Sequence, residues 1–74
     1  MPRLTDLGPE ETGVVVRVMG GRGLKQKLAL RGIKEGSLLR MISSLRGPVV
    51  VEGNGGQVAL GRGMAQKVIV IRRG

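Results

Sequence analysis

The 74-residue chain contains no histidine, no cysteine and no phenylalanine, tyrosine or tryptophan. Without histidine it lacks the side chain that most often activates a nucleophile or passes a proton near neutral pH. Without imidazole or thiolate, zinc, copper and most iron sites lose their ordinary ligands. The five carboxylates, at Asp6, Glu10, Glu11, Glu35 and Glu52, are scattered along the sequence rather than grouped. The expectation is a protein that is not an enzyme, with no catalytic residue, no cofactor and no dedicated metal site, acting by shape and charge. The missing rings also count against stacking of single-stranded bases and against an aromatic-lined groove for proline-rich peptides. Zero cysteine removes disulfide stapling, and the opening MPRLTDLGPEE has neither a signal-peptide run nor a membrane span, so the chain reads as cytosolic.

What is present is aliphatic and basic. Ten Val, nine Leu, four Ile, four Met and three Ala must supply the core, enough to argue against disorder. A chain of this length buries only about 60% of its unfolded surface, which leaves room for one core in a single domain over residues 1–74. Nine Arg and four Lys against five acids give a formal charge of +8. That charge draws the molecule toward polyanions, whether nucleic acid, acidic lipid or an acidic protein face.

Along the chain, GVVVRVM from Gly13 to Met19 is β-branched and too short for a typical helix, which predicts a strand with Val14, Val16 and Val18 on one face. After the glycines at 20, 21 and 23, LKQKLALRG contains good helix formers, with Leu24 and Leu28 on one face. Gly32 fits the left-handed position that ends a helix, and Ile33 the residue after it that reaches back to Leu28. Strands follow at SLLRMIS, at Val49–Glu52 after the Gly47–Pro48 turn, at Gln57–Leu60 after the GNGG turn, and at Lys67–Ile71. Five short strands with a short helix after the first predict a mainly β fold, a small barrel.

Two strands, Val49–Val51 and Val68–Ile71, are apolar on both faces, so something must cover the outside. If Val49, Val51, Val58, Leu60, Val68 and Val70 point inward, Val50, Ile69 and Ile71 point outward, with Val15, Leu38 and Ile42 as further candidates. Either the helix and the N-terminal lead-in cover these residues, or a partner or second copy does, making a homo-oligomer through Val50, Ile69 and Ile71. The glycine-rich stretches GGRG and GNGG match neither GxxxxGK[ST] nor GxGxxG and are read as turns. Ser37, Ser43 and Ser44 have no histidine and no GxSxG context, which leaves them turn and strand-edge roles.

The run QKLALRGIKEGS from Gln26 to Ser37, then GPVVVEG and QVALGRGMAQKVIV, resembles the bacterial ferrous iron transport protein A family, FeoA. The shared pattern falls on Leu28, Gly32, Ile33, Gly36, Leu39, Met41, Gly47, Pro48, Val49, Val51, Val58, Leu60, Ala65, Val68 and Val70, and covers nearly the whole chain. Glu35 stands where such proteins often carry Pro. The resemblance implies an SH3-like barrel that assists a membrane ferrous-iron permease with a cytosolic GTP-binding domain, and places the chain at the inner membrane through that partner. Members of the family are commonly described as binding transition metals, an expectation that the absence of His and Cys opposes here.

The reading that follows is an accessory protein of ferrous-iron uptake that docks by protein–protein contact. Its surface is placed on the helix and the next turn, at Arg22, Lys27, Leu30, Arg31 and Lys34, where an aliphatic residue well away from the Leu24–Leu28 face is ringed by cations. The alternative is a small basic nucleic-acid-binding barrel that holds phosphates with Lys and Arg. An iron carrier fits the composition poorly.

Overall fold

A computed structural model of the chain describes residues 1–73. A 3-10 turn at Leu4–Asp6 precedes strand β1 (Thr12–Val18), helix α1 (Arg22–Leu30), β2 (Leu38–Ser43), β3 (Val49–Gly53), β4 (Gly56–Leu60), the short helix α2 (Arg62–Ala65) and β5 (Val68–Arg73). All strand pairs are antiparallel, in the order β4-β3-β2-β1-β5. This is an SH3-like arrangement in which the sheet does not close, and β4 and β5 remain its two edges. The expected inward residues of the last three strands are buried: Val49, Val51, Leu60, Val68 and Val70 are wholly enclosed, and Val58 packs partly exposed against them. Leu28 and Leu24 of α1, with Ile33 after it, close one side of the same core.

The first strand departs from the sequence expectation. Val15 pairs with Val70 but Arg17 pairs with Ile69, so Val16 is an extra residue on β1. Such a bulge sets two residues against one and reverses the alternation beyond it. Gly13 and Val15 therefore point into the core before the bulge and Val18 after it, while Val14 and Val16 are only half-buried. Three consecutive valines contain no alternation from which the phase could be read. Gly13 packs closely on β5, and a Cβ there would lie 3.1 Å from that of Val70, so a side chain at this position would crowd Val70.

Of the residues expected outside, Ile69 is not available. The Val70 N–H donates to the Pro2 carbonyl at 2.9 Å, and Arg3 bridges to Ile69, so the lead-in lies along the β5 edge and leaves Ile69 8% exposed. Val50 and Ile42 are half-buried, and Val15 is inside. The outer apolar surface is instead a cross-strand row, because Val14 of β1 pairs with Leu38 on one side and Ile71 on the other. Leu38 and Ile71 are each about half exposed.

Candidate docking face

Helix α1 stops as its sequence predicts. Gly32 has φ +83°, the Gly32 N–H donates to the Ala29 carbonyl at 2.9 Å, and the Ile33 N–H donates to the Leu28 carbonyl at 2.9 Å. These are the two bonds of a Schellman ending, and they turn Ile33 under the helix into the core. The chain then makes a tight turn held by Ser37. Its hydroxyl donates to the Gly32 carbonyl at 2.9 Å and accepts from the Lys34 N–H at 3.1 Å. Backbone bonds between Val15 and residues 36 and 37 fasten the end of this turn to β1. Lys34 and Glu35 therefore project from an anchored backbone.

At 3.6 residues per turn, Leu30 lies roughly 140° around α1 from the direction of Leu24 and Leu28. It is 83% exposed. Lys27, one turn before it, is exposed on the same flank, and Arg31 at the helix end reaches the free edge of β4, where its guanidinium donates to the Ala59 carbonyl at 3.1 Å. Lys27, Leu30 and Arg31 thus make one ridge beside β4. Arg22 stands at the opposite end of α1, in a first turn that has no acid and no side-chain cap. Lys34 sits past the helix end, over a groove that α1 forms with Val18 and Ile33. The structure gathers three of the five expected residues on one ridge and sets Arg22 and Lys34 apart from it.

The carboxylates are less scattered than the sequence implied. Glu10 and Glu52 both pair with Arg40 of β2, with Arg40 Nε also donating to Glu52 at 3.1 Å. The hydrogen bond to Glu52, reinforced by the Glu10 charge, raises the Arg40 pKa above its ordinary value. A cation fixed between two carboxylates occupies the place a bound ion would take, and among the described residues no three acids gather elsewhere. Glu11 is held differently. Its carboxylate accepts from the Gly8 N–H and, with Arg72 Nε at 3.5 Å, lies below the usual carboxylate pKa against a smaller opposing effect of desolvation. Arg72 also donates to the Asp6 carbonyl at 2.8 Å, so it ties β5 to the N-terminal lead-in. The turn role expected of Ser37 is the one it has, while sequence reasoning missed Arg40, because an arginine opposite a glutamate in paired strands is visible only once the register is known.

Comparison with known proteins decides the family. The FeoA domain family matches residues 3–72. This chain belongs to it. A candidate Fe(2+) transport protein A of Methanocaldococcus jannaschii is 38% identical over 60 residues, covering 81% of this chain and 73% of that protein. The crystal structure of an iron uptake regulatory protein (FeoA) superimposes with TM-score 0.88 at 32% identity, covering 96% of this chain and 95% of the other. A zinc-complexed FeoA of Stenotrophomonas maltophilia, described as a procaryotic SH3 domain protein, shares the fold with TM-score 0.82 at 22% identity over 96% of this chain and 91% of that one. No described helix of this FeoA chain is long and apolar enough to cross a membrane.

Proposed function

We propose that this FeoA chain is an accessory of ferrous-iron uptake that docks on the membrane iron permease and contributes no bond-making chemistry of its own. Membership of the FeoA family carries the reading, since the family's named relatives belong to iron transport, and a chain without histidine or cysteine accords with it. The docking surface is the α1 ridge of Lys27, Leu30 and Arg31, extended by Arg22 at one end and Lys34 at the other. An exposed leucine flanked by Lys27 and Arg31 suits an acidic, partly apolar patch, with the charges steering approach and the leucine giving contact area. Co-purification of the full chain with the permease's GTP-binding portion and with its membrane portion, with and without GTP, tests this. Retention on either portion is the expected result, and failure on both removes the docking reading. The nucleic-acid alternative has no observation in its favour beyond net charge.

We propose self-association as a second reading, through the apolar row on the outer face of β1, β2 and β5. The row of Leu38, Val14 and Ile71 supports contact between two copies, whereas Val50 pairs with Ser43 at the other end of β2, away from the row, and Ile69 is excluded because the lead-in covers it. Sedimentation of the wild type against Ile71→Lys reads it out: a concentration-dependent dimer lost in the variant supports the contact, and a monomer throughout removes it.

A further inference from the structure

We infer that the groove between α1 and the turn after it is a seat for an acidic peptide segment carrying an aliphatic side chain. The inference deepens the docking reading, because it names the kind of segment a protein partner would insert. The groove has a volume of about 330 Å³ and is formed by Val18, Lys25, Ala29, Ile33, Lys34 and Glu35. Its apolar parts are the exposed Ala29 and a floor of Val18 and Ile33, which are 5% and 1% exposed, so the open groove offers a shallow apolar seat for an aliphatic side chain. The cations are arranged around that apolar part. Lys25 stands one helical turn before Ala29, and Lys34 stands just beyond the helix end, so Ala29 lies between the two lysines in the groove lining. Among the described residues neither lysine is in an ion pair. Glu35 is the one carboxylate of the rim, which leaves the rim net positive on a molecule of formal charge +8.

Two cations flanking an apolar pocket call for carboxylates on both sides of an aliphatic residue. A fatty acid offers one carboxylate at one end of a long chain, and it fits this arrangement less well. The turn that carries Lys34 is held in place by Ser37, so the rim is formed before any ligand arrives. A preorganised rim lowers the ordering cost of binding. The groove is on the opposite flank of α1 from the Lys27–Leu30–Arg31 ridge, and a single partner segment crossing the helix end would meet both.

The test uses the full chain, isotopically labelled, and three synthetic capped hexapeptides, EELLEE, EESSEE and KKLLKK, followed by NMR. EELLEE is expected to shift the signals of Val18, Ala29 and Ile33, with little effect from the other two. Ala29→Glu, at an exposed helical position, is expected to weaken EELLEE binding at least about tenfold, and the uncharged Ala29→Gln by clearly less. Glu35→Gln is expected to tighten it by about two- to fivefold, the scale of one exposed charge contact. Equal shifts from KKLLKK, equal losses in the Gln and Glu variants, preferential binding of decanoate, or no groove shifts at millimolar EELLEE would each overturn the inference. Peptide failure with intact permease association removes the groove and leaves the docking reading standing. Peptide binding with no permease association does the reverse.

Discussion

Replacing Gly32 measures how much of the docking face depends on one backbone conformation. At φ +83° an L side chain is strained, while a Cβ placed there meets no atom within 4 Å, so the cost is conformational rather than steric. A non-glycine residue in the left-handed region costs roughly 1–2 kcal/mol, less for Asn and more for a β-branched residue, up to about 3 kcal/mol. The order Gly, Asn, Ala, Val should therefore be the order of falling stability, with Val about 2–3 kcal/mol below the wild type. A 74-residue domain of ordinary stability holds about 4–11 kcal/mol in total, so that loss is large. Urea unfolding resolves it, because with slopes near 1 kcal/mol per molar the Val variant's midpoint moves by about 2 M or more. Equal midpoints for Ala, Val and wild type would mean that the two Schellman bonds do not fix the helix end. An Asn variant as weak as Val would mean that the cost is steric, against the empty space around the Cβ.

Three further outcomes follow from the same contacts. Arg22→Asp removes a cation from the first turn of α1 and supplies an acid there, so stability should rise by about 0.3–1 kcal/mol in thermal or urea unfolding while permease association falls; loss of stability would contradict the helix-end electrostatics. Glu10, at φ +70° after Pro9, is strained yet paired with Arg40, so Glu10→Gly should leave stability within about 1 kcal/mol of wild type while Glu10→Val, adding β-branched strain and losing the exposed pair, costs about 1–2 kcal/mol in urea unfolding. Glu11 has a lowered carboxyl pKa, chiefly from the Gly8 N–H, so its contribution to stability is present above the ordinary carboxylate range and lost as the pH falls through its folded value; thermal unfolding of wild type and Glu11→Gln should differ at neutral pH and converge in acid, and a constant gap would contradict the assignment.

Much of this fold is legible in the amino-acid sequence, and the parts that are not have identifiable causes. The helix end is legible because Leu28, Gly32 and Ile33 occupy positions where each residue type has one strong preference, and the hairpin between β3 and β4 because GNGG can do little but turn. The phase of β1 is hidden since Val14, Val15 and Val16 are interchangeable in pattern, and only pairing with β5 reveals the bulge. Burial of Ile69 is hidden as well, because it depends on Pro2 and Arg3 returning to the β5 edge from more than sixty residues away in sequence. The exposure of Leu30 follows from helical spacing alone. The separation of Lys34 from the Leu30 ridge does not, because it depends on the direction the chain takes after Gly32.

The docking claim is tested most directly by affinity for the permease in two charge-reversed pairs of the full chain. Arg31→Glu with Lys34→Glu alters the α1 end, and Arg46→Glu with Arg73→Glu alters exposed residues on the β2–β3 turn and at the end of β5. Each reversal removes two units of charge, so both pairs take the formal charge from +8 to +4. Arg31 also gives up its bond to Ala59, so urea unfolding of both pairs accompanies the binding measurement and confirms that each is folded. The account predicts that the first pair weakens association at least about tenfold while the second stays close to wild type. Equal losses in both pairs would contradict it, because net charge rather than the α1 face would then govern the contact.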